Sequence, residues 1–106
     1  MRGPWRWVRR YRGGRPPKPR LLGLKPPIGL VFIPYKGGIP SPKPPVRIAP
    51  DEYEAFRLVY YENLSQDEAA SRMGVSRGTL WRLLRNARRK IAMALVEARP
   101  LEISSS

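Results

Sequence analysis

Residues 64–80 read Leu64-Ser65-Gln66-Asp67-Glu68-Ala69-Ala70-Ser71-Arg72-Met73-Gly74-Val75-Ser76-Arg77-Gly78-Thr79-Leu80, and this stretch decides the fold. Ser65 to Glu68 reads as a capping box: the serine hydroxyl accepts from an amide of the first turn, and Glu68 reaches back to the Ser65 amide. The helix it opens is short, because Gly74 lacks a Cβ and permits a left-handed stop. Val75 follows, and Ser76 caps the next helix. Ala70 is small where two helices must cross, while Met73 and Val75 fill the space beneath the turn. This spacing predicts a helix-turn-helix whose second helix enters a DNA major groove. An αα-hairpin without a ligand carries the same turn signals, so the next helix decides between them.

That helix can continue to about Arg99, since Pro100 ends it, and Arg77 to Ala98 spans roughly 33 Å. At about 100° per residue, Leu80, Leu84, Ala87, Ile91, Ala94, Leu95 and Ala98 fall on one stripe. Arg82, Arg85 and Arg89 centre opposite it, with Arg77, Trp81 and Arg88 on one shoulder. Six basic residues and no acid lie between Arg77 and Lys90. A solvated face usually mixes signs, so this segregation points to a polyanion.

Upstream, a first helix is predicted from about Pro50 to Glu62. Pro50 suits the first helical position, Asp51 and Glu52 complement the dipole, and Asn63 suits a left-handed stop. Its apolar residues spread around the circumference, so the helix is buried on two sides or presents tyrosines at a surface.

The chain changes character near residue 50. Twelve of its 13 prolines lie in residues 1–50, which hold 12 Lys or Arg and no acid. Residues 51–106 hold 9 basic and 8 acidic residues. Helices cannot run through Pro16-Pro17-Lys18-Pro19 or Pro40-Ser41-Pro42-Lys43-Pro44-Pro45. The expected organisation is therefore a basic, largely extended or disordered arm over 1–45 and a helix-turn-helix domain over 46–103. Ile28 to Ile33 is apolar and β-branched enough for a short edge strand or an extended segment laid on the folded half.

Composition excludes whole classes of chemistry. The formal charge is +13 over 106 residues, and Cys and His are both absent. Disulfides, thiolate or imidazole metal sites and a Ser-His-Asp triad go with them. No run of about 18 apolar residues exists, and the arginines among Trp5, Trp7, Val8 and Tyr11 leave no signal-peptide core. The expectation is a non-enzymatic protein with no catalytic residue, metal or cofactor and no membrane partner, in a prokaryotic cytoplasm near the nucleoid.

Ser65-Gln66-Asp67-Glu68-Ala69-Ala70, Met73 through Leu80 and Ala87-Arg88-Arg89-Lys90-Ile91 resemble the helix-turn-helix of sigma-factor region four. They resemble more closely a family of small archaeal and bacterial proteins known only as predicted DNA-binding proteins, over about residues 46–103. Tyr35-Lys36-Gly37-Gly38-Ile39-Pro40 is loosely similar to a Phe-Lys-Pro-x-Gly-Val-Pro element of that family. Two departures stand out: Ser41 to Pro45 replaces an acidic linker, and Ala49 stands where a Thr cap is usual. The resemblance implies an all-α, three-helix, sigma-region-four-like DNA binder within the winged-helix-like superfamily. It gives the arm no inherited meaning.

The expected function is sequence-specific binding of double-stranded DNA in transcription regulation. Base-edge contact falls to Arg77, Trp81, Arg82 and Arg85. Trp81 either meets a thymine methyl or covers a helix junction. Thr79 bonds a phosphate or its own backbone. Ser65 and Gln66 open a helix whose free amides favour a phosphate, and Ser65 is a cap on either reading. Arg88 and Arg89 suit phosphates. Arg9, Arg10, Arg12 and Arg15 of the arm suit phosphates or, through Gly13-Gly14-Arg15-Pro16, a minor groove as in an AT-hook. The alternatives are an RNA-binding or ribosome-associated protein and a module docking on RNA polymerase. A homodimer is expected from the small folded half, from Met93 and Val96 lying off the stripe, and from Ile28 to Ile33 and Leu101-Glu102-Ile103 lacking an assured partner.

Overall fold

A computed structural model describes residues 26–105. In chain order the elements are β1 (Val31–Phe32), β2 (Tyr35–Lys36), β3 (Ile39–Pro40), β4 (Val46–Ile48), α1 (Pro50–Phe56), α2 (Gln66–Met73), α3 (Arg77–Glu97) and β5 (Leu101–Ile103). A π-helical turn, Arg57–Tyr61, continues α1.

The three helices lie where the caps predict. Ser65 Oγ accepts from the Glu68 amide at 3.1 Å, and Glu68 Oε1 accepts from the Ser65 amide at 2.9 Å. Gly74 stops α2 at φ 72°, and Asn63 is left-handed at φ 61°. Ala49 has no side-chain acceptor to offer α1, so only half a box forms there: Glu52 Oε1 accepts from the Ala49 amide at 2.9 Å. Ala55, Leu58, Ala69, Ala70, Met73, Leu80 and Leu84 close into one core at the junction of the helices. Fully burying a leucine there contributes about 1.5–3 kcal/mol. Glu54, itself buried, takes two hydrogen bonds from Arg57, at 3.2 and 2.8 Å, and Arg57 also donates to Glu62 at 2.7 Å. The Glu54 bonds hold the Arg57 pKa above its ordinary value, against the desolvation that lowers it.

The all-α expectation is overturned. The fold is mixed α/β: β1, β5 and β4 form one sheet in that order, and β2 and β3 form a hairpin. β5 runs antiparallel to β1 and parallel to β4, pairing Val46 with Leu101 and Ile48 with Ile103. The whole helical trio is thus the crossover between two parallel strands, as parallel pairing requires a long connection. Val46 and Ile48 point inward while Arg47 points out to Glu102, at 3.4 Å. Ile48, Ile103 and Ala87 form a second core against the middle of α3. β1 lies at the sheet edge within the apolar Ile28 to Ile33 run that predicted an edge strand, whereas β4 and β5, of three residues each, carry too little alternation to announce themselves.

Residues 26–45 fall within the stretch read as arm, and they carry β1, β2 and β3. Leu101-Glu102-Ile103 finds its backbone partners inside the chain, and β1 lies on it as an edge strand, so the pairing of these strands needs no second chain, although the Phe32 and Ile33 side chains stay exposed. The basic Ser41 to Pro45 stretch staples the end of α3. Ser41 Oγ donates to the Ala98 carbonyl and Lys43 Nζ to the Glu97 carbonyl, both at 2.7 Å, satisfying carbonyls that a helix end leaves open. Arg99 returns the contact through the Pro44 and Pro45 carbonyls.

Candidate nucleic-acid interface

The solvent face of α3 is built by its opposite face. Leu80, Leu84 and Ala87 are fully buried, which turns Arg82, Arg85 and Arg89 outward and leaves Arg77, Trp81 and Arg88 exposed beside them. Ser76 caps the helix, its Oγ accepting from the Thr79 amide at 3.0 Å. No acidic residue lies in the first turn of α3, so the positive end of its dipole is uncompensated there. The first turn of α2 is the reverse, holding Asp67 and Glu68.

Each side chain assigned from the sequence has a definite setting. Arg77 lies 3.3 Å from Asp67, both well exposed, which ties the start of α3 to the start of α2. Arg82 donates to Thr79 Oγ1 at 3.3 Å, and the Ser76 hydroxyl lies 3.0 Å from the same oxygen. Thr79 therefore bonds within its own first turn. The Arg85 guanidinium lies 5.8 Å from the centroid of the Trp81 ring, within cation–π range. Trp81 is about half exposed, so it does not seal a helix junction. Arg88 donates to the Tyr60 hydroxyl at 2.7 Å. Arg89 is exposed beside Arg88 along a shallow groove with Ala92, Met93 and Val96.

The α2 start is less open than its position suggests. The Ser65 hydroxyl and amide are both engaged by Glu68. The hydrogen bond from the Ser65 backbone, and then that with its side chain, hold the Glu68 carboxyl below its ordinary value. Gln66 is half-buried beside them. Arg9, Arg10, Arg12 and Arg15 lie outside the described residues.

Sequence reasoning missed three contributors. Lys90 belongs to the basic run but turns away, its Nζ lying 2.6 Å from Glu52 Oε1, so it links α3 to α1. Tyr60 positions Arg88 from the π-helical turn. Its exposed-tyrosine signal was visible, but its partner lies 28 positions away. Asp67 competes for Arg77 in a way that only the crossing of α2 and α3 reveals.

Among the described residues no group of three or more acidic side chains could hold a metal ion, and no helix is long and apolar enough to cross a membrane.

Residues 9–105 match the model of a family described as protein of unknown function DUF134. The UPF0251 protein TK0562 of Thermococcus kodakarensis is 50% identical over 79% of this chain and 74% of its own length. The UPF0251 protein PF0620 of Pyrococcus furiosus is 48% identical over 92% of this chain and 86% of its own. A UPF0251 protein of Methanosarcina acetivorans is 43% identical over 85% and 79%. No solved structure matches the chain significantly.

Proposed function

The chain belongs to the DUF134 family of unknown function, and from the arginine face of α3 we infer that it binds duplex DNA sequence-specifically as a transcription regulator. The observation that carries the reading is the segregation along one helix. Arg77, Arg82, Arg85, Arg88 and Arg89 are all exposed, and no acid interrupts them between Arg77 and Lys90. A helix of about 10–12 Å diameter fits a major groove of about 12 Å.

Arg82 and Arg85 are the base readers, because each arginine offers paired donors to guanine N7 and O6. Arg85 approaches already held over Trp81, and Trp81 itself is left to meet a thymine methyl. Arg77 must leave Asp67 to reach a base. Arg88 and Arg89 neutralise phosphates, with Tyr60 fixing Arg88. Gln66 lies where a phosphate would meet the α2 start, and Ser65 serves as cap. The Arg9, Arg10, Arg12 and Arg15 arm adds phosphate contacts.

Sequencing duplexes selected by the full chain from a random pool tests the reading. A defined motif containing guanine is expected, and a flat selection overturns it. Replacing Arg9, Arg10, Arg12 and Arg15 by Ala should keep the motif while flattening the salt dependence, by about 0.9 in log–log slope per phosphate lost. Loss of all binding in that variant, with RNA preferred by the parent, would instead favour the RNA-binding alternative.

A further inference from the structure

The apolar stripe of α3 is not covered to its end. Leu95 is 80% exposed, although it falls on the same stripe as buried Leu84 and Ala94. Phe32, Ile33 and Leu95 line one groove of about 330 Å³ with Ile91 and Leu101 at its floor. A second groove, bordered by Tyr35 and Ile39 of the hairpin, shares Pro34 and Ala98 with the first. We propose that this continuous surface, formed by Phe32, Ile33, Tyr35, Ile39 and Leu95, is where two copies of this chain pair.

Area supports a second copy as the occupant. Five large apolar residues exposed by 45–80% present on the order of 600 Å² per copy, the upper end for one patch on a monomer. A pair would bury about 1,200 Å², where stable interfaces begin. Charge does not oppose it: Lys43 and Arg99, the cations beside the patch, are bound to carbonyls and to Glu97, leaving Lys36 at the rim.

The position of the patch along α3 supports the same occupant, and this step rests on the DNA reading above. The middle of the arginine run lies about 18 Å from Leu95 at 1.5 Å per residue. Two helices meeting end to end at Leu95 would hold their arginine runs about 36 Å apart, so one DNA turn of about 34–36 Å is within reach of a near-collinear pair.

Sedimentation equilibrium of the full chain in the tens-of-micromolar range is the test. The expected mass is twice 12.2 kDa. Leu95→Glu on α3 and Ile39→Glu on the hairpin should each weaken pairing at least about tenfold, with unchanged helical circular dichroism. Both side chains are mostly exposed in one chain, so folding is unaffected. A parent that stays at 12.2 kDa alone and adds the mass of only one chain to a duplex, or pairing untouched by both variants, overturns the proposal. A paired protein that selects no DNA motif overturns the DNA reading alone. A monomer that selects one half-site overturns the pairing alone.

Discussion

The two halves of α3 are parts of one amphipathic helix with opposite fates. From Arg77 to Arg89 its apolar stripe is sealed under α1, α2 and the sheet, and the outer face is entirely basic or neutral. From Ile91 to Glu97 the stripe opens to solvent at Leu95, and the outer arginines stop. Periodicity marks which face a helix can bury. It says nothing about whether the chain supplies enough partner to bury it. In this fold α2 is only eight residues and the strands two or three, so the covering layer ends before α3 does.

The hardest blow to this comparison would be a core residue of the first half that behaves like a surface one. Leu84 is fully buried in the helical core. Leu84→Ala should therefore lower unfolding stability by about 2–5 kcal/mol, the transfer and cavity terms together. Arg89→Ala, on the outer face of the same half, should stay within about 0.5 kcal/mol. Urea denaturation of both variants reads the difference, and similar midpoints would mean that the first half is not sealed.

The outer face divides next. Arg82→Ala or Arg85→Ala should cost about 1–3 kcal/mol on the selected DNA site and much less on random duplex. Arg89→Ala should weaken both alike. Fluorescence anisotropy with the two duplexes measures the ratios. If Arg82 and Arg85 also weaken both alike, the whole face holds phosphates and carries no sequence reading.

How far this division was legible depends on the range of each signal. Ser65, Gly74, Ser76, Asn63 and Pro50 act within one turn, and each lies where its local chemistry predicts. The stripe of α3 and the outward arginines follow from a single helix. The apolar Ile28 to Ile33 run marked the edge strand β1, but the β4–β5 pairing was illegible because the two strands lie on opposite sides of the helical trio in sequence, and each borrows its meaning from the other. Lys90 shows the same limit at the site. Its charge belongs to the basic run in sequence, but its direction is set by Glu52 on α1. Proline content described Ser41 to Pro45 correctly as non-helical, yet not that its free hydroxyl and ammonium would close the end of α3.

Gly78 sharpens the contrast within the first turn. A Cβ there would meet only Arg82 and Ser76 side-chain atoms, both at 4.0 Å, so nothing in the protein needs a glycine. Gly78→Ala should raise stability by about 0.4–1 kcal/mol by restricting the unfolded chain. On the proposed DNA reading, a bare backbone at that turn lets the duplex approach closely. Gly78→Ala is then expected to bind the selected site more weakly while melting at a higher temperature. Unchanged affinity would take Gly78 out of the interface.

The smallest effect separates the starts of α2 and α3. Glu68 accepts from the Ser65 amide, the larger cause, and pairs with its hydroxyl, and together these hold its carboxyl below the ordinary value of 4.5. A depressed folded-state value means that the cap contributes fully above the ordinary value. The contribution fades as pH falls through the folded-state value. α3 carries no acid in its first turn, so its cap rests on the Ser76 hydroxyl and has no such dependence. Nuclear magnetic resonance titration of the Glu68 side chain should give a midpoint below 4.5. Ser65→Ala should move it part of the way back, because the backbone bond survives. Below that midpoint the first amides of α2 should exchange faster while those of α3 hold. A Glu68 midpoint at or above 4.5, or both helix starts loosening together, would show that the two caps are not independent.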